Sequence, residues 1–149
     1  MTTIEQFEEI LKTEAGVADA ILDSLYEQQQ AIIQFRDRAI VDAAERGKRL
    51  LEPLESLERE REKLCRAFDS TMHPETNGTF RLSGLARSLP NDQAAKILGA
   101  GKILKGKVEK IMTVNSQNRM LLDHSLRFVK QSLRIMTDNY TKKLVDTTI

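Results

Sequence analysis

Apolar residues recur along the first third of the chain at alternating intervals of three and four. The series is Ile4, Phe7, Leu11, Glu14, Ala18, Ile21, Leu25, Gln28, Ile32 and Phe35, and Ile10, Val17, Leu22 and Ile33 widen it. Side chains at that spacing share one face of an α-helix. Thr2 and Glu5 match a capping box, in which the Thr oxygen takes a free amide and the Glu carboxylate reaches back. The pattern predicts a helix over about 3–35.

Continued in phase, the series would meet Ala39, Asp42, Arg46, Arg49, Pro53 and Ser56, which are mostly polar. A new series runs instead through Ile40, Ala43, Gly47, Leu50, Leu54, Leu57, Arg61, Leu64 and Phe68. The phase slips by one residue near Arg36-Asp37-Arg38. A tight turn with Asp37 as the N-cap of a second helix explains the slip; a single skip in one continuous rod also does. The turn is favoured. A lone rod of about 65 residues would be about 100 Å long and need a partner along all of it, whereas a hairpin buries the two stripes against each other. The second helix is expected over about 38–70, kinked at Pro53, with the charge run at 55–63 on a solvated face.

Turn signals then cluster at His73-Pro74, Asn77-Gly78 and Pro90-Asn91-Asp92. Leu82, Leu85, Ala86 and Leu89 predict one short helix in the 71–91 connection, folded back on the hairpin. A third long helix is expected over about 92–137, starting near Asn91 or Asp92 and softened by Gly99, Gly101 and Gly106. From Leu104 its stripe keeps strict spacing through Val108, Ile111, Asn115, Asn118, Leu122, Ser125, Val129, Ser132 and Met136. The fold class is therefore all-α, an antiparallel coiled-coil-like bundle of three long helices. Residues 1–137 form one domain, and 138–149 are expected as a flexible tail.

Two features single out the last helix. Asn115, Asn118, Ser125 and Ser132 stand where a coiled coil prefers Leu or Ile, and buried polar groups cost stability unless paired. Register control accounts for them; so does a helix held loosely by its own bundle. Leu121, Leu126, Phe128, Leu133 and Ile135 lie outside the stripe, so 118–136 is apolar on more than one face. Either the hairpin sandwiches it, or it offers an apolar face to a partner.

Composition narrows the class. The chain of 149 residues is 30% charged and 40% hydrophobic with only 5% aromatic, which suits a folded helical protein of one domain. The start is acidic and lacks the apolar core of a signal peptide, and no apolar run reaches the roughly 20 residues that cross a bilayer. Cys65 is the single cysteine, so there is no intrachain disulfide framework. These features place the protein in the cytoplasm, without membrane insertion. The net charge of +1 divides unevenly: −6 over residues 1–35, zero over 36–72 and +7 over 73–149. The acidic and basic segments are expected to pack on each other, with an outside partner for the basic one as the alternative.

Candidate chemistry is sparse. Lys102, Lys105, Lys107 and Lys110 make a basic cluster, and 101–108 approaches a phosphate loop. Val108 stands where the loop needs Ser or Thr for magnesium, and no strand precedes it. The cluster has no interleaved aromatics, which argues against nucleic acid. His73 and His124 lack ligands at metal spacing. His124 is expected at the surface, and Cys65 is expected as a half-buried structural thiol with no base near it in sequence. No catalytic, cofactor or metal residues are assigned, and the protein is not expected to be an enzyme.

The run Asn115-Ser-Gln-Asn118-Arg-Met-Leu121-Leu122-Asp-His-Ser125-Leu126-Arg-Phe128-Val129 resembles the N-x-x-N-x-x-L-L-x-x-S-L-x-[FY]-V signature of the FlgN-type flagellar export chaperones. The segment from Glu27-Gln-Gln-Gln through Arg36-Asp37 and Lys48-x-x-Leu51 to Leu57-Glu-x-Glu-Arg61 is similar as well, and the resemblance spans about 15–137. It implies a chaperone that binds the C-terminal helical segments of the hook-associated proteins FlgK and FlgL and prevents their early assembly. It also implies delivery to the export gate component FlhA. A related chaperone for the filament cap protein, or a structural or oligomerising coiled coil, is the alternative. Client contact in this family belongs to the C-terminal region, which points to Leu122, Leu126, Phe128, Val129, Leu133, Met136, Tyr140 and Leu144. The family links a tail tyrosine to gate docking, and Tyr140 is the only one in this tail. The working unit is expected to be a monomer or weak homo-oligomer.

Overall fold

A computed structural model describes residues 2–72 and 82–148, with side-chain surroundings for 2–67 and 84–143. His73 and the side chains of Phe68, Leu82 and Leu144 lie outside the described set. Four helices follow one another: α1 (Thr3–Ile33), α2 (Asp37–Met72), α3 (Leu82–Arg87) and α4 (Asn91–Thr148).

α1 opens with the expected capping box. Glu5 donates its backbone N–H to Thr2 Oγ1 at 3.2 Å, and Thr2 donates its own to the Glu5 carboxylate at 2.9 Å. The helix closes at Ile33 rather than 35. Phe35 adopts φ 55. Its N–H bonds the Ile32 carbonyl at 3.1 Å, and the Arg36 N–H bonds the Ala31 carbonyl at 2.9 Å. These two bonds make a Schellman turn with phenylalanine at the left-handed position that glycine usually takes. The phase slip is thus a turn and not a skip. Phe35 leaves the stripe and is 61% exposed. Asp37 is the first helical residue rather than the N-cap, since the Arg36 carbonyl accepts the first helical bond from Ile40 at 3.0 Å. Its carboxylate still stands where the helix dipole favours it.

The three long helices run up, down and up. Glu27 pairs with Arg46 and Glu14 with Arg61, so α1 and α2 are antiparallel. Asp19 pairs with Lys107 and Gln29 with Gln117, both 88 positions apart, so α1 and α4 are parallel. The Asp19–Lys107 pair also joins the acidic segment to the basic one, as expected from the charge pattern. α1 is the central helix: it packs against α2 and α4, while α3 packs on α4.

Both hairpin stripes are realised. Phe7, Leu11, Glu14, Ala18, Ile21 and Ile32 of α1 are buried, and Ala43 of α2 is buried with Gly47, Leu50, Leu54, Leu57, Arg61 and Leu64 half-buried. Phe7 and Leu11 meet Cys65, Leu85 and Ile97 in one cluster, so the short helix does fold back on the base of the hairpin. Cys65 is fully buried there, deeper than the half-buried position expected. α2 runs through Pro53 as one continuous helix. Gly47 lets α2 approach α1 closely, because a Cβ there would stand 3.0 Å from Ser24 Oγ.

The seam of α4 departs from its predicted stripe. Ile97, Leu104, Ile111, Asn118 and Ser125 repeat every seven residues, with Ala100, Lys107, Val114 and Leu121 between them, and all are buried or half-buried. Asn115 and Leu122 are exposed. Val114 and Leu121 take their place inward, which buries two apolar side chains and leaves the Asn115 amide in water. α4 also continues to Thr148, beyond the boundary near 137. No Gly or Pro follows Gly106 to stop it.

Candidate functional site

Two polar groups inside the bundle come first. The Glu14 carboxylate is buried in α1, and both its oxygens accept from Arg61 Nε at 3.1 Å. Burial raises the Glu14 pKa, Arg61 lowers it through charge and hydrogen bonding, and Glu58 raises it further; the balance is upward. The two stripes contained both residues, but only the hairpin register brings them together. The pair fixes that register and offers nothing to a substrate.

Asn118 is 2% exposed in the α1–α4 seam. Its Nδ2 donates to the Leu25 carbonyl at 2.9 Å and to Gln28 Oε1 at 3.2 Å. Its Oδ1 is buried without a partner among the described residues. One amide thus ties α4 to the last turns of α1 at a single register, the role a lone core Asn has in coiled coils.

Above Asn118 the bundle ends and α4 does not. With the offset of 88 between facing residues, the last residue of α1, Ile33, is level with Leu121. α2 starts at the same end. Residues 122–148 therefore project past the hairpin tip as a helix roughly 40 Å long. Of the residues expected to contact a client, Leu122 is 38% exposed, Val129 44%, and Leu126, Phe128, Leu133, Met136 and Tyr140 more than half exposed. They stand on one projecting segment but not on one row. Leu122, Leu126, Val129, Leu133, Met136 and Tyr140 follow each other at three and four. Phe128 belongs to a neighbouring row with Leu121, Ser125, Ser132, Ile135 and Asn139, which continues the seam against α1. The sequence shows both rows; what it does not show is where α1 stops covering them.

Soluble chains rarely leave so much contiguous apolar surface without a binding role. No helix among the described residues is long and apolar enough to cross a membrane. The arrangement suits a long partner helix laid along α4, since each apolar row repeats at the spacing of a helix-packing seam. His124 is exposed beside it, as expected.

Comparison with protein families matches the chain to the FlgN protein family over residues 1–144. Nothing among curated proteins or solved structures matches the chain.

Proposed function

The chain belongs to the FlgN family of flagellar export chaperones, and from that membership we propose that it serves the hook-associated proteins FlgK and FlgL in the cytoplasm. It binds their C-terminal helical segments, keeps them from assembling early and delivers them to the export gate at FlhA. The family's work is chaperoning rather than catalysis. The observation that carries this assignment is the projecting half of α4, with Leu126, Phe128, Leu133 and Met136 more than half exposed. An amphipathic client helix covers such a row and loses its own aggregation-prone face in doing so. Tyr140 is exposed on this segment and open to a partner. In the sequence Leu144 follows Tyr140 at the same spacing of four.

Co-expression with C-terminal segments of FlgK, FlgL and the filament cap protein tests the assignment. FlgK and FlgL segments should be retained by the full chain and lost from a Leu126→Ser, Leu133→Ser variant whose helix content is unchanged. Retention of neither junction segment by the unaltered chain refutes the assignment, and retention of the cap segment alone transfers the role to that client. Because the same rows also suit self-association, light scattering is the companion measurement. An obligate oligomer indifferent to all three segments makes the protein a structural coiled coil.

A further inference from the structure

The projecting part of α4 carries a charged edge that nothing in the bundle uses. Each member of the Leu122 row is followed by one residue of a third row: Asp123, Arg127, Lys130, Arg134, Thr137 and Thr141. At 100° per residue this third row borders the apolar one along its whole length, on the side away from the seam. Arg127, Lys130 and Arg134 are exposed, and no ion pair among the described residues engages them. The other border is the seam row, with the uncharged Ser125, Ser132 and Asn139.

A change along the helix sets this edge apart from a generally basic surface. The positions that become Leu126, Leu133 and Tyr140 are, counting back in sevens, Arg119, Met112 and Lys105 within the bundle. The same line of α4 is therefore mixed where the hairpin stands, with Val108 and Met112 beside Lys105, Asn115 and Arg119, and continuously apolar where it ends. Three cations accompany it only from Arg127 to Arg134, over about two turns. Long basic side chains beside an apolar row extend it with their methylene stems and hold their charges at its margin. In coiled coils, charges at that margin select the partner.

We infer that the projecting helix selects a partner helix of defined chemistry: amphipathic, with a Leu-type row and acidic residues along one edge, laid on the Leu122 row so that those acids face Arg127, Lys130 and Arg134. The inference rests on the proposed client-binding role and adds which kind of client helix is preferred and which of its edges faces the cations. The occupant is a helix of another protein. A second copy of this chain would bring its own basic row to the interface, with Asp123 as the one acid to offset it.

The test uses the full chain and three fluorescent 21-residue helical peptides with the same heptad Leu row: one with Glu along the flanking edge, one with Lys, one with Gln. Binding is read by anisotropy at about 50 and about 300 mM salt, between which the screening of exposed pairs changes. The Glu-edged peptide should bind about tenfold more tightly than the Gln-edged one at low salt, the sum of three exposed ion pairs, and the preference should shrink at high salt. Arg127→Glu, Lys130→Glu, Arg134→Glu should reverse the order in favour of the Lys-edged peptide without changing helix content. Equal binding of all three peptides overturns the inference. So does binding of a junction-protein segment that the charge-reversed chain retains in full, which leaves the client role standing. Failure of the junction segments and all peptides together overturns both. A concentration-dependent dimer that Leu126→Ser, Leu133→Ser dissolves makes the occupant a second copy and also overturns it.

Discussion

Replacing Arg61 with alanine isolates a buried charge whose consequences follow from the geometry. Glu14 is 1% exposed, and Arg61 Nε stands 3.1 Å from both its oxygens. At that distance the Coulomb attraction is about 5 kcal/mol for an effective dielectric constant near 20, most of it offset by the cost of taking the carboxylate out of water. Removing one partner of a buried pair costs about 3–5 kcal/mol. The Arg61 side chain is 24% exposed, so water reaches part of the space it vacates. We expect the lower end, about 3 kcal/mol at pH 7. Glu14→Leu with Arg61→Met removes both charges and should stand within about 1 kcal/mol of the wild type.

The pH dependence has a defined sign. The folded pKa of Glu14 is raised by burial against the opposing effect of Arg61. The folded carboxyl therefore binds a proton more readily than the unfolded one. Its contribution to stability is full below the unfolded pKa and is lost as pH rises through the folded value. Arg61→Ala removes the lowering influence, so its penalty should shrink between about pH 7 and about pH 5 as Glu14 takes a proton. Urea denaturation followed by helical circular dichroism at both pH values measures this. A penalty under about 1 kcal/mol at pH 7 refutes the reasoning. A penalty that grows on acidification, or a double variant as unstable as Arg61→Ala, does so too.

Phe35→Gly should stabilise the protein by about 0.5–1 kcal/mol in the same assay, because the left-handed position strains phenylalanine and its exposed ring has little packing to lose. Gly47→Ala should be nearly neutral alone, its helix-propensity gain offset by the 3.0 Å approach to Ser24 Oγ, but should stabilise by about 1 kcal/mol once Ser24→Ala removes that oxygen. Additive effects in that pair would contradict the close approach. Asn118→Leu removes the unpartnered Oδ1 and should raise the thermal midpoint, while cysteines placed at Gln29 and Gln117 should cross-link less cleanly as the register loosens. A lower midpoint would mean that the bonds to Leu25 and Gln28 outweigh the orphaned oxygen.

The helices and the hairpin were legible in the sequence because apolar spacing encodes a face, and the described residues of α1 and α2 on the two stripes become buried or half-buried. The capping box was legible for the same local reason: both of its bonds lie within four residues. The apolar surplus after Asn118 was legible as a segment, since it is a property of composition. Which row of α4 turns inward was not. Two rows one residue apart have nearly the same periodicity, and only packing against α1 decides that Val114 and Leu121 are covered while Asn115 and Leu122 are not. The Schellman turn at Phe35 was hidden because the residue breaks the glycine preference for that position. The Glu14–Arg61 pair was hidden because pairing across a hairpin depends on register. The largest feature left to the tertiary structure is where the cover ends. The length of α1 and its offset against α4 put the hairpin tip level with Leu121, and that termination alone turns a bundle helix into an exposed apolar arm.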